Sequence, residues 1–202
     1  MNDVERAGKR ADAIANRARL LEVARAVFAR SGLDLEVTDI ASQAQVGVGT
    51  LYRHFGNREG LLRAIVTDIA ETADAQIRQA ILPYRDEPRS ALRALITAGL
   101  SVQQQYQSLF PVLRDFRLTK LFEPAQREAM RAQFLDLGRE IIERGILAGI
   151  FRKDLDVDVA AASIFGSLTG VFESLGKYYP LAELEERLFQ LLWVMVAKAD
   201  EP

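Results

Sequence analysis

The chain is 202 residues long, 49% hydrophobic and 27% charged, the balance of a soluble globular protein with room for one or two domains. It has no cysteine, which excludes disulfides and thiolate metal sites, and its single histidine, His54, argues against an imidazole-built metal centre. The net charge of −2 divides unevenly, with nine Arg/Lys against seven Asp/Glu in residues 1–58 and seventeen against twenty-one in residues 59–202, the sign expected of a basic module on an acidic body.

The apolar residues recur at helical spacing from end to end, with no alternating strand pattern. Over residues 14–30, Ile14, Ala18, Leu21, Ala24, Val27 and Phe28 form one stripe, and Ser31-Gly32 closes that helix with a glycine suited to a left-handed cap. Two short helices are predicted at 37–44 and 48–55. Asn57 is a good N-cap for a longer helix, which Leu61, Leu62, Ile65, Val66, Ile69, Ala73 and Ile77 carry to about residue 81. The run Pro83 to Pro88 is a break, and Pro88 suits the first turn of a helix reaching about Tyr106. Pro111 and Pro124 bracket a short irregular helical piece. A long helix is predicted from about 125 to 149, then a final pair at about 157–177 and 181–199, separated by Pro180. The fold class expected is all-α, with about nine helices.

The chemistry concentrates in residues 32–62. Ile40 and Ala44 share one face of the first short helix, Leu51 and Phe55 one face of the second, and Val46 is placed to plug the turn between them. Small apolar residues at these spacings let two short helices cross steeply and closely, as a helix-turn-helix requires. With Leu51 inward, 100° per residue turns Gly49 and Arg53 outward, with Tyr52 on one flank and Thr50 and His54 on the other. A glycine and an arginine bordered by hydrogen-bonding groups are the dress of a recognition helix. Arg58, in the first turn of the long helix, opposes the helix dipole unless a phosphate sits there as well.

From the first helix through Val46 to Phe55 (VGVGTLYRHF) and on into Asn57 to Leu62, the chain closely resembles the tetracycline-repressor (TetR) family; the most specific part is T-L-Y-x-H-F followed by a basic residue. The resemblance implies a three-helix DNA-binding domain, a linking fourth helix, and a variable effector domain that dimerises through its last two helices. It implies phosphate contacts from Thr50, Tyr52, His54 and Arg58, with Gly47 and Val48 near the groove. Thr38 belongs to the same set of DNA contacts, and Arg53 is placed by helix geometry. The domains expected are a helix-turn-helix domain at 1–56 and an effector-binding and dimerisation domain at 57–202. Two residues depart from the family pattern: Gln45 stands where the turn usually has glycine, and Glu36 is a poor cap for the first short helix.

In the second domain, Ala162, Gly166, Gly170 and Ser174 recur every four residues and permit close approach of another helix. The resemblance turns this stripe, with Leu188 and Leu192 of the last helix, toward a second protomer; packing on the last helix of its own chain is the alternative. Phe165 and Phe172 then look inward with Leu168, toward Tyr106, Phe110, Phe116, Met130 and Phe134. Gln103, Arg114 and Thr169 are candidate polar contacts for a small effector, and the apolar lining calls for a hydrophobic or aromatic one. The expected function is a ligand-responsive regulator, most simply a repressor binding a palindromic DNA operator as a homodimer.

Other classes fit less well. His54 has no acid–nucleophile arrangement around it, and Asp136, Glu140 and Glu143 read as a solvated helix face, so no catalytic role and no cofactor is expected. Asp154, Asp156 and Asp158 begin like a calcium loop but lack its glycine and its closing glutamate, so helix capping is the better reading. A helical protein-interaction module without DNA binding would leave the Tyr52, Arg53, His54 and Arg58 cluster unexplained. The polar, acid-bearing start does not resemble a signal peptide, and the apolar run Leu191 to Ala197 is too short for a bilayer, so a cytoplasmic location is expected.

Overall fold

The computed structural model describes residues 3–107 and 120–199, with the backbone alone for 3–15. Among these residues there are eight helices and no strand: α1 (Asp3–Ser31), α2 (Val37–Gln43), α3 (Val48–Phe55), α4 (Arg58–Ile81), α5 (Pro88–Gln105), α6 (Pro124–Leu147), α7 (Val157–Leu175) and α8 (Leu181–Val196). The ninth, irregular piece expected between Pro111 and Pro124 falls on residues 111–119, outside the described residues, and on a turn at 120–122. The first helix begins well before the residue 14 expected of it.

The described residues pack into two compact units, one formed by residues 3–70 with 120–123, the other by 71–107 with 124–199. In the first, α1 buries Leu20, Leu21, Ala24, Val27 and Phe28, α2 buries Val37, Ile40 and Ala41, and α3 buries Leu51 and Phe55. Leu61, Leu62, Ile65 and Ile69 from the first half of α4 complete this core. Ala18 is exposed, contrary to the expected stripe, whose inner edge is occupied by Leu20. Gly32 closes α1 at φ 58°, the left-handed conformation its sequence position suggested. Gln45 holds the same conformation without being glycine, at φ 55°, in the turn between α2 and α3. Val46 is only half-buried there; its N–H donates to the Ala41 carbonyl at 2.9 Å, so it closes the turn through its backbone more than through its side chain.

The second unit has one hydrophobic core, drawn from Leu92, Leu95, Ile96 and Leu100 of α5, Ile141 and Ile142 of α6, Ile164 and Leu168 of α7, and Leu184, Leu188, Phe189, Leu192 and Trp193 of α8. Phe151 is fully buried against Gly145, where a Cβ would stand 2.0 Å from its ring. Arg152 N–H donates to the Val196 carbonyl and Lys198 N–H to the Ile150 carbonyl, both at 3.0 Å, tying the exit of α6 to the end of α8. Arg93 reaches from α5 to Glu186 on α8 at 2.7 Å while its guanidinium lies 3.8 Å from the centre of the Phe189 ring.

Candidate DNA-reading helix and effector region

The candidate recognition helix α3 is flanked by Gly47, whose extended backbone (φ −73°, ψ 147°) offers no side-chain cap, and by Gly56 with φ 79°. Leu51 and Phe55 anchor it, 1% and 9% exposed, and that choice of inner face fixes the outer one. Gly47, Gly49, Tyr52 and Arg53 are exposed, and Val48, Thr50 and His54 are half-buried at the margins. A Cβ at Gly47 or Gly49 would meet nothing within 4 Å, so this end of α3 presents nearly bare backbone to solvent. Thr38, near the start of α2, is exposed too. Glu36 makes no side-chain cap at that helix start, as its chemistry suggested.

The start of α4 holds two features that the sequence reading did not foresee. Arg58 directs its guanidinium at the carbonyls of Leu33 and Leu35 in the loop after α1, with Nε 3.5 Å from the Leu35 oxygen and Nη2 closer still to the Leu33 oxygen. The residue expected to hold phosphate thus also fastens the segment leading into α2. Gly60 N–H donates to Asn57 Oδ1 at 2.8 Å, the expected cap, but the glycine itself is there for space. A Cβ at Gly60 would lie 2.0 Å from the Phe55 carbonyl oxygen, so α4 can press against the end of α3 only without a side chain. The sole sequence signal was a glycine inside a first helical turn, where its low helix propensity costs about 1 kcal/mol and asks for a reason. Two contacts hold α1 in the same unit: Arg17 stacks 5.4 Å from the Phe55 ring centre, and Arg25 pairs with Asp68 at 3.0 Å.

In the second unit the structure brings together two of the expected effector pairs. Gln103 is buried and its Nε2 donates to Thr169 Oγ1 at 3.1 Å, while its Oε1 is buried with no hydrogen-bond partner among the described residues. The Phe134 and Phe165 rings lie 5.4 Å apart between α6 and α7. Tyr106 is buried, and Met130 and Phe172 are half-buried. Phe110, Arg114 and Phe116 lie outside the described residues.

The small-residue stripe of α7 is open. Ala162, Gly166, Gly170 and Ser174 are all exposed, and a Cβ at Gly166 or Gly170 would meet nothing within 4 Å, which rules out packing of this stripe on α8 of the same chain. Leu188 and Leu192, expected beside it on the interface, are instead core residues at 2% exposure each. The outward face of α8 carries Leu191 and Val194, 64% and 77% exposed. The error is one of helical phase: α8 is apolar on more than one side, so pattern alone did not separate its inner from its outer leucines.

Four of the acidic groups set aside in the sequence are engaged locally. Asp156 caps α7 by accepting from Val159 N–H at 3.0 Å, Asp136 and Asp158 pair with Arg139 at 2.7 and 2.6 Å, and Glu140 pairs with Arg144 at 2.5 Å. Among the described residues no group of three or more His, Cys, Asp or Glu could hold a metal ion, and no helix is long and apolar enough to cross a membrane.

A short outward-facing helix on a three-helix unit, with the chain running on through α4 into a larger all-helical unit, defines a helix-turn-helix DNA-binding regulator. The chain belongs to the tetR family of bacterial regulatory proteins: residues 20–65 match the family's amino-terminal model and residues 85–173 match a tetracyclin repressor-like C-terminal domain. It is 29% identical over 153 residues to the HTH-type transcriptional repressor KstR2 of Rhodococcus jostii, an alignment covering 71% of this chain and 72% of that one. The solved structure of the ketosteroid transcriptional regulator KstR2 of Mycobacterium tuberculosis superposes with a TM-score of 0.67 at 25% identity, over 90% of this chain and 95% of the other. The FadR regulator of Bacillus subtilis, solved with stearoyl-CoA, shares the fold at a TM-score of 0.70 and 23% identity, over 87% and 97% of the two chains. The protein is therefore a DNA-binding, ligand-responsive transcriptional regulator and not an enzyme.

Proposed function

We propose that this regulator is a repressor that binds a palindromic operator as a homodimer and leaves it when a small hydrophobic effector binds. The observation that carries this reading is the uncovered stripe of α7, flanked by the exposed Leu191 and Val194 of α8. Burying a leucine or valine side chain is worth about 1.5–3 kcal/mol, and a stripe of small residues lets two helices approach closely enough to do so. A self-complementary face of this kind closes on itself about a two-fold axis. Two recognition helices related by that axis read an inverted repeat, one half-site each.

In this reading residues 1–56 bind DNA and residues 57–202 bind effector and partner. Arg53 reaches base edges, Thr38, Thr50, Tyr52, His54 and Arg58 hold phosphates, and Gly47 and Val48 approach the groove. The effector lies among Tyr106, Met130, Phe134, Phe165 and Phe172, with Gln103 and Thr169 as its polar contacts. The buried, unpartnered Oε1 of Gln103 supports an effector that carries one hydrogen-bond donor on an apolar body. One solved relative is described as a ketosteroid transcriptional regulator, which agrees with an effector that is largely apolar.

Selecting bound duplexes from a random library, with light scattering on the free protein, tests the reading. Enriched inverted repeats and a dimeric mass are expected. A monomeric protein, or enrichment of sites without two-fold symmetry, would overturn it.

A further inference from the structure

We propose that a second small-molecule site lies between the end of α4, the start of α5 and the second half of α6, and that it takes an organic carboxylate with an apolar chain. The cavity measures about 220 Å³ and is lined by Arg78, Arg85 and Arg144 around an apolar floor that includes Ile81, Leu137 and Ile141. It opens beside Pro88 at the first residue of α5, whereas Gln103 lies fifteen residues further along the same helix, about 22 Å away at 1.5 Å per residue. The two sites share no residue.

The arginines are held ready. Arg78 Nε donates to Asp74 at 2.8 Å, and that hydrogen bond raises the Arg78 pKa further above its already high value. Arg144 donates to Glu140 at 2.5 Å and to the Arg85 carbonyl at 3.2 Å. Among the described residues the Arg85 guanidinium has no ion pair or hydrogen bond, and it is exposed at the mouth. Arg78 is paired with Asp74 and Arg144 with Glu140, so Arg85 is the guanidinium at this cavity left to meet an anion, with Arg144 beside it. A planar carboxylate is the group that a guanidinium fork grips in two places. A neighbouring depression shares Arg85, Pro88 and Arg144 and runs on to Leu147, which is 87% exposed, giving an alkyl chain an apolar surface to follow. The charge sets the head group, and the floor with Leu147 sets the tail.

Calorimetric titration of the full chain with sodium octanoate, 1-octanol and sodium acetate tests this. Octanoate is expected to bind, with octanol at least about tenfold weaker for want of a charge-assisted hydrogen bond and acetate at least about tenfold weaker for want of a buried alkyl chain. Arg85→Ala removes an exposed side chain while keeping the carbonyl that Arg144 uses, so the fold should stand, checked by circular dichroism, and octanoate affinity should fall about tenfold or more. Glu140→Gln removes the competing carboxylate and should tighten octanoate binding several-fold. Gln103→Ala should leave it unchanged, which separates this site from the effector region. Absence of octanoate binding, octanol or acetate binding equally well, or octanoate binding lost in Gln103→Ala but kept in Arg85→Ala would each overturn the proposal.

Discussion

Gln103 and Thr169 are joined by a 3.1 Å hydrogen bond between α5 and α7, donated by the amide nitrogen, while the amide oxygen is buried and unpaired among the described residues. A buried acceptor without a partner costs about 1–3 kcal/mol, whereas the bond to Thr169 returns only about 1 kcal/mol. Gln103→Leu, which removes both, is therefore expected to leave the free protein as stable or up to about 1 kcal/mol more stable, while weakening release from operator by any effector whose donor uses Oε1. Thermal melting measures the first, and titration of the operator complex with effector measures the second. A melting temperature several degrees lower in the variant would mean that the oxygen is already served in the free protein.

Gln45 sits at φ 55° between α2 and α3, exposed, with its backbone N–H donating to the Ser42 carbonyl at 3.1 Å. The left-handed conformation strains an L side chain by about 1–2 kcal/mol, partly offset in the variant by the greater freedom of an unfolded glycine. Gln45→Gly is expected to stabilise the protein by roughly 0.5–1 kcal/mol in denaturant melts, with operator affinity unchanged. A destabilised variant would show that the glutamine side chain makes a contact worth more than the strain.

What the sequence made legible follows from how each signal is written. The ends of the helices were marked by local chemistry: Asn57 as cap, Gly32 as stop, Pro88 in a first turn, and each mark coincides with the structure within a residue. The outward face of α3 was legible because Leu51 and Phe55 leave one inner direction in an eight-residue helix. Gly60 was not, because its reason is a backbone oxygen of another helix, and neither was the Arg58 clasp, whose acceptors are carbonyls with no side-chain signature. The phase of α8 was missed because Leu188, Leu191, Leu192 and Val194 are all apolar, and only burial separates them. The arginine cavity joins Arg78 and Arg85 to Arg144, which lies 59 residues beyond Arg85, and spacing cannot reveal that meeting.

At Gly166 an added side chain meets no atom of its own protomer. Gly166→Arg should therefore fold, with unchanged helical circular dichroism and a gain in local helix propensity of about 1 kcal/mol. It should nonetheless be monomeric by light scattering and bind operator poorly, because two long cations would be forced together where the stripe closes. A fully dimeric variant would place the interface elsewhere.

The pairing of Glu186 with Arg93 gives the second unit an acid-sensitive strap. Hydrogen bonds from Arg93, and secondarily from Gln190, hold the Glu186 carboxyl below the usual carboxylate pKa. A folded pKa lower than the unfolded one contributes stability above the unfolded value, and this is lost as pH falls through the folded value. Glu186→Gln should thus melt slightly lower than the parent at pH 7, the difference shrinking to nothing below the carboxylate range. A difference that persists at low pH would trace the effect to packing rather than charge.

Arg53 and Arg58 differ in what they already touch, and that separates their roles. Arg53 is exposed on the outer face of α3 beside Gly49 and, among the described residues, forms no ion pair or hydrogen bond, which leaves it able to reach a base edge. Arg53→Ala is expected to leave melting unchanged, to cost about 1–3 kcal/mol on operator and less on scrambled DNA, and so to relax sequence preference. Arg58 is bound to the Leu33 and Leu35 carbonyls, so Arg58→Ala should lower stability by about 1 kcal/mol as well as weaken DNA binding. If its guanidinium also meets a phosphate, that weakening should be equal on operator and scrambled duplex, and the salt slope should drop by about one unit per lost contact in each subunit. Binding isotherms for both variants on both duplexes at several salt concentrations, alongside melts, decide the matter. If Arg58→Ala destabilises the fold yet leaves the salt slope intact, the clasp is its whole role and the phosphate contact belongs to Thr50, Tyr52 or His54. If Arg53→Ala keeps full discrimination, base reading passes to Val48 or Thr50 at the margin of the helix.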